Sequence, residues 1–384
     1  MRRLPVRSHL RRLQGARVRA HRKRARERSA LPVHAVAANA GVGVAVLKAL
    51  VVGGGITGLT AAYVLARAGA GVVLAEGSSR LGGKVRTEVA DGFLIEHGPD
   101  AFLTVRPAAL ELCREIGLGP EVVAPRGPES VLVWHRDRLL PVPPGAGMGM
   151  PTRFVPFLRS PLFTPLQKVR AGIEVVVPSV GADGDLSIGA FLRRRYGNAV
   201  VDRVAGPLIS AIYGADADEL SLDALMPRLR EAERRHGSLV RAGMAARRSA
   251  RAPAAPMLMT LRNGLGSMVE ALAQRLGPTE VRLDARLDRL ERGGARYVAR
   301  FSGGAPVTAD VVILATPASV TAAALGDLAP AAVEPLRSIT YRSTLSVTLA
   351  YGAEDVADPA ALGFVVPRGA LPITACTWSS AKWP

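Results

Sequence analysis

A strand, a glycine turn and a helix are written consecutively into residues 46–76, VLKALVVGGGITGLTAAYVLARAGAGVVLAE. Val46 to Val52 is an apolar, partly β-branched run bounded by glycine, the pattern of a buried parallel strand. Gly53, Gly55 and Gly58 follow at G-x-G-x-x-G spacing. Leu59 to Ala68 is rich in Ala and Leu and suits a helix closed by Gly69, and Val72 to Ala75 forms a second strand ending at Glu76. Each residue type has a physical task. Gly53 permits a tight turn, Gly55 lets the backbone approach a pyrophosphate, and Gly58 lets the helix pack closely on the strand. The helix start offers unpaired N–H groups and a positive dipole end to that pyrophosphate. Glu76, 23 residues after Gly53, can accept hydrogen bonds from both ribose hydroxyls and disfavours a 2′-phosphate. The expected ligand is therefore FAD or NAD rather than NADP. The alternative, a glycine-rich turn with no ligand, does not need the strand, helix, second strand and acid in this order.

The 384-residue chain is long enough for two or three domains, and its 48% apolar and 21% charged residues exclude wholesale disorder. Its net charge of +18 is unevenly spread. Residues 1–48 hold 13 Lys or Arg against one acid, Glu27, which leaves the body only mildly basic. Residues 1–45 are expected to be a disordered basic extension. It can be read as a nucleic-acid or lipid-binding tail, a transit or secretory segment, or non-family sequence read from an upstream start; the last is favoured, with no specific nucleic-acid partner. Cys113 and Cys376 lie far apart without metal spacing, so neither a disulfide scaffold nor a metal site is expected, and a reducing, cytoplasmic compartment is the default.

The sequence that follows Glu76 separates FAD from NAD. Arg80, Gly82, Gly83 and Lys84, in RLGGK, resemble the flavoprotein amine oxidase superfamily, in which this segment wraps FAD. In GFLIEHGPDAF the Gly98-Pro99 turn resembles the place where that family's backbone approaches the flavin. A narrower resemblance is to the bacterial, Gram-positive type of the oxygen-dependent coproporphyrinogen III / protoporphyrinogen IX oxidases. It is carried by GGGITGL, RLGGK, IEHGPDAFL, MGMPT, FLRRRYG, PLISAIYGAD and ITACTWSSAKWP, and it runs from about residue 48 to 384. Only the last motif has no use in a general flavoprotein. By resemblance, Gly53, Gly54, Gly55, Ile56, Thr57 and Gly58 hold the pyrophosphate, while Glu76 and Gly77 meet the adenosine ribose. Arg80, Gly83 and Lys84 line the cofactor segment, and Gly98, Pro99, Asp100 and Ala101 form the isoalloxazine-side turn. Leu287 sits where the family places an apolar adenine contact, although alternating strand core explains it equally well.

The fold implied is α/β: an FAD-binding Rossmann-like domain, with a parallel sheet and helices, interleaved with a mixed-sheet substrate domain and a helical lobe. The FAD domain is expected at 46–125 and 258–325, the substrate domain at 126–151 and 326–384, and the helical lobe at 152–257. Family members continue beyond AKWP, so the chain is expected to lack the closing part of the FAD domain, with a sheet edge left open. The helical lobe carries apolar and Arg-rich portions; peripheral membrane contact is one reading and a solvated charged face is the favoured one.

The activity implied is removal of six electrons from a porphyrinogen, with coproporphyrinogen III ranked first, and with oxygen as acceptor. The flavin carries the chemistry, so no catalytic side chain is required and none stands at a convincing spacing. Arg106 is the candidate for pairing with a substrate carboxylate, against the plainer reading of a surface arginine at a helix start. His97 and His236 are read as structural. The competing readings are another flavin amine oxidase or desaturase, and an inactive fragment of the family.

Overall fold

The computed structural model describes residues 46–126, 130–144, 146–147, 150–151, 154–179, 184–249, 256–356 and 361–384. The expected basic extension at 1–45 lies outside the described residues, as does most of MGMPT. The chain divides into two compact units, the residues up to Gly83 with Val269–Ile339, and Lys84–Met268 with Thr340–Pro384.

The first unit is built on strand β1 (Lys48–Val52), followed by helix α1 (Ile56–Arg67) and strand β2 (Gly71–Ala75). Four parallel strands run in the order Glu280–Arg282, β2, β1, Val311–Leu314. A strand between two neighbours, covered on both faces, must be apolar throughout, and Ala49, Leu50, Val51 and Val52 are all buried. Helix α1 lays Leu59, Ala62 and Tyr63 on the sheet. An antiparallel sheet of Leu287–Gly293, Arg296–Phe301 and Val307–Ala309 shares a core with it through Leu50, Val52 and Ala75. Fully burying a side chain such as Leu50 contributes roughly 1.5–3 kcal/mol.

The second unit holds a mixed sheet and helices. The sheet order is Ala375–Thr377, Gly363–Val365, Val131–His135, Arg138–Pro141, with the central pair parallel and the outer pairs antiparallel. The substrate sheet was expected to draw on 126–151 and 326–384; within the second range Pro330–Arg337 is helical, and residues 340–352 are exposed and belong to no helix or sheet. Helix starts are set by local chemistry. Thr164 and Gln167 form a reciprocal capping box for Pro165–Gly172, and Ser187 caps Ile188–Tyr196. Phe191, Leu192, Val200, Val204 and Ile209 form a core with Val133 and Val365 of the sheet.

The Arg-rich run in FLRRRYG is solvated only in part, with Arg194 exposed and Arg195 buried. Arg195 is wholly buried and donates to the Glu233 carboxylate from two nitrogens, one at 2.9 Å. It also reaches Glu174 Oε1 at 3.3 Å and the carbonyls of Val177 and Gly237, both at 3.0 Å. Glu174 in turn accepts from Ser238 Oγ and the Leu239 N–H. Arg193 pairs with Asp202 and Asp218, and Arg170 donates to the carbonyls of Arg193, Arg194 and Arg195. Arg195→Leu strands two buried carboxylates, so it is expected to cost about 3–5 kcal/mol in urea unfolding. Arg194→Ala, at an exposed neighbour, is expected to stay within about 0.5 kcal/mol.

Candidate dinucleotide site

The cradle is set where β1 runs out. Gly53 has φ +106°, and a Cβ there would lie 2.6 Å from the Ala315 carbonyl oxygen. Its N–H donates to Ala75 O at 2.7 Å. A Cβ on Gly58 would lie 1.8 Å from the Gly53 carbonyl oxygen. Both glycines are therefore demanded by the chain's own packing. Gly55 is different. Its backbone is extended, at φ −68° and ψ 177°, and a Cβ there would meet nothing closer than Gly83 Cα at 4.0 Å. The fold asks for no glycine at 55, so the open space in front of it suits a group brought from outside. Gly55 caps α1 without a side-chain hydrogen bond, and the first turn, Ile56 to Gly58, holds no acid. A helix start left open in this way attracts an anion.

Glu76 stands at the same mouth. Its Oε2 accepts from the Gly54 N–H at 2.6 Å, and its Oε1 accepts from the Ser78 N–H at 2.8 Å and Ser78 Oγ at 2.7 Å. An ionised carboxylate has about four acceptor sites, so a ribose hydroxyl can still be received. Gly77 follows the strand end, where Glu76 N–H donates to Arg282 O at 2.8 Å. Arg80 turns inward on its own loop, donating to Leu81 O at 3.2 Å and Gly83 O at 2.6 Å. Its cation braces the loop, and the Gly82 N–H ties that loop to Gly54 O at 2.8 Å. Leu287 is 6% exposed and packs in the first unit's core. Ser78 was missed in the sequence; a Ser two residues after an acid is the available signal, since such hydroxyls bond back to nearby groups.

In the second unit, Lys84 is exposed, with Nζ 6.0 Å from the ring centre of Tyr341. A Cβ on Gly98 would lie 2.0 Å from the Lys84 carbonyl oxygen, so close backbone contact requires glycine there. Gly98 and Pro99 are exposed, while Asp100 and Ala101 are half-buried. The Asp100 carboxylate accepts from Lys382 Nζ at 2.6 Å and from Trp383 Nε1 at 3.3 Å. Thus GPDAF and AKWP, far apart in sequence, meet. Thr87 Oγ1 donates to Glu96 Oε2 at 2.8 Å, and Glu96 Oε1 accepts the Leu265 N–H at 2.6 Å, holding the turn that starts Gly266–Gln274. His97 Nε2 lies 2.6 Å from Glu88 Oε2, a partner that the sequence did not reveal. Arg106 is exposed, one residue before the Pro107 that caps Ala108–Glu115. The described residues hold no cluster of three metal-ligating side chains.

A cavity of about 600 Å3 in the second unit is lined by Pro207, Gly214, Asp216, Arg342, Arg368 and Pro372, among others. Its arginines are already neutralised, Arg342 by Glu219 at 2.7 Å and Arg368 by Asp216 at 2.6 Å. The Asp218 N–H, and then Arg368, hold the Asp216 carboxyl below the usual carboxylate range. An anionic ligand would have to displace these acids.

The two glycines separate folding from binding. Gly58→Ala is expected to destabilise the chain in urea unfolding, because its methyl collides with backbone. Gly55→Ala is expected to leave stability within about 1 kcal/mol while weakening dinucleotide uptake in a fluorescence titration.

The family of flavin containing amine oxidoreductases matches residues 56–374. The chain is 41% identical to the coproporphyrinogen III oxidase of Propionibacterium freudenreichii subsp. freudenreichii, over 87% of this chain and 69% of that protein. It is 34% identical to the coproporphyrinogen III oxidase of Bacillus subtilis, over 87% of this chain and 73% of that protein. A solved chain from Exiguobacterium sp. 255-15 superposes with a TM-score of 0.73 at 31% identity, covering 89% of this chain and 74% of that one. With the open helix start and the braced acid that a flavin dinucleotide needs, the chain belongs to the family of flavin containing amine oxidoreductases.

Proposed function

We propose that this chain is an FAD-dependent porphyrinogen oxidase of haem biosynthesis, with coproporphyrinogen III as first substrate, protoporphyrinogen IX as second, and oxygen as acceptor. The observation that carries this reading is the 41% identity to a coproporphyrinogen III oxidase across a chain whose cradle suits a dinucleotide. When bound, the flavin would accept hydride from the macrocycle and pass electrons to oxygen. The chain's own residues bind and orient. The Gly53–Gly58 turn and the start of α1 receive the pyrophosphate, Glu76 receives the ribose, and the Gly98–Ala101 turn serves the isoalloxazine side. Arg106, with no ion pair among the described residues, is free to meet a substrate carboxylate.

The test begins with the visible spectrum of the purified chain and identification of the released cofactor. Bound FAD, with coproporphyrin and hydrogen peroxide formed from coproporphyrinogen III, is the expected result. A colourless chain that takes up no added FAD would instead favour the inactive-fragment reading. Arg106→Ala is expected to raise the KM for coproporphyrinogen by about tenfold, the scale of one charge-assisted hydrogen bond, with kcat little changed; an unaltered KM removes Arg106 from the site.

Peripheral membrane contact has one observation in its favour. Leu166, Val169, Ile173 and Val176 recur at near-helical spacing along Pro165–Gly172 and Ile173–Val176, and all are exposed. No helix among the described residues is long and apolar enough to cross a membrane. Flotation with anionic vesicles is expected for the natural chain and lost in Leu166→Glu/Val169→Glu; equal flotation of both would remove this surface.

A further inference from the structure

The most family-specific segment, ITACTWSSAKWP, has no task in the reading above, yet the fold anchors it firmly. Ala375–Thr377 pairs with Gly363–Val365, and a Cβ on Gly363 would lie 2.2 Å from the Cys376 carbonyl oxygen. The ring of Trp378 lies 5.7 Å from that of Phe364, and the Trp378 backbone N–H donates to Leu362 O at 3.0 Å. The short helix Ser379–Lys382 then carries Lys382 inward, and the Arg126 N–H fixes the Lys382 carbonyl at 2.9 Å. Lys382 is 7% exposed, a rare position for lysine unless it is paired. Its Nζ lies 2.6 Å from Asp100 Oδ2 and 4.8 Å from the ring centre of Trp383, whose own N–H donates to the same oxygen at 3.3 Å.

One carboxylate oxygen thus gathers two donors, from the last residue of the short helix Ser379–Lys382 and from the residue after it. Asp100 belongs to the turn whose other end, Gly98, is pressed on the Lys84 carbonyl. The turn is held at both ends, by backbone at 98 and by charge at 100. Between them lies Pro99, which removes a backbone donor and fixes its own φ.

We propose that Lys382 is a positioning residue: by clamping Asp100 it holds the Gly98–Ala101 turn in the one conformation that serves the flavin. This rests on the flavin reading given under the proposed function. It adds a role for a lysine that acts through Asp100, and it makes the environment of the flavin depend on the AKWP segment.

The test compares the natural chain with Lys382→Met, Lys382→Arg and Trp383→Phe. Amide hydrogen exchange over 98–104 reports the turn whether or not flavin is present. The absorption and circular dichroism bands of bound FAD report its surroundings, and steady-state kinetics separate kcat from KM. Lys382→Met is expected to speed exchange at Asp100 and Ala101 by roughly ten- to a hundredfold, the scale of a lost charge-assisted hydrogen bond. Exchange over 53–58 should be unchanged, the flavin bands should shift, and kcat should fall more than KM rises. Lys382→Arg should restore most of each signal, and Trp383→Phe should show a smaller effect of the same kind. If Lys382→Met does not fold, Trp383→Phe and Lys382→Arg still decide the matter. Natural exchange at 100–101 in Lys382→Met overturns the clamp. Faster exchange with unaltered flavin bands overturns its service to the flavin. A natural chain that takes up no FAD, yet shows faster exchange in Lys382→Met, overturns the flavin reading and leaves the clamp on the turn standing.

Discussion

Two backbone contacts set everything in the first unit: the Gly53 Cα against the Ala315 carbonyl, and the Gly58 Cα against the Gly53 carbonyl. They bring the end of β1, the start of α1 and the residue after Val311–Leu314 closer than any side chain would allow. The parallel register follows, with Val52 beside Leu314 and Ala75. So does the open helix start, because a helix pressed against the strand end must point its first N–H groups outward. The site is a by-product of the packing, and Gly55 is the position where packing stops dictating the residue.

The second unit is organised by charge held away from water. Three consecutive arginines, 193 to 195, project from successive positions of one helix and meet three different surroundings. Arg193 pairs with two half-exposed acids, Arg194 is exposed, and Arg195 is sealed among the carboxylates of Glu174 and Glu233 and three backbone carbonyls. Burying these ions is worthwhile only because nearly every polar atom finds a partner. The same unit uses this device twice more, in Glu96 at the start of Gly266–Gln274 and in Lys382 on Asp100.

What could be read from the sequence was local. The strand, turn, helix and acid of residues 48–76 lie within one stretch, and their geometry follows from residue type and spacing. The mixed sheet and the helical lobe were expected from the family resemblance, not from local pattern. Residues whose meaning depends on a distant partner were not legible. Glu96 meets Leu265 across 169 positions, Thr87 meets Gly266 across 179, and Asp100 meets Lys382 across 282. Nothing in composition marks such a pair before the chain has folded. Arg80, assigned to the cofactor segment by resemblance, has its guanidinium engaged with Leu81 and Gly83 of its own loop, a contact between near neighbours in sequence.

The exposed run from Ser343 to Tyr351, STLSVTLAY, carries neither charge nor proline nor glycine, and apolar residues alternate at Leu345, Val347, Leu349 and Tyr351. Two copies laid antiparallel about Thr348 bring Val347 opposite Leu349 and Leu345 opposite Tyr351, so the segment is complementary to itself. The net charge of +18 opposes such pairing by a long-range repulsion that salt screens. Colloidal behaviour is then a contest between nine residues that attract at contact and a whole-chain field that repels at a distance. Low ionic strength and dilution favour dispersed chains, and concentrated salt hands control to the strand.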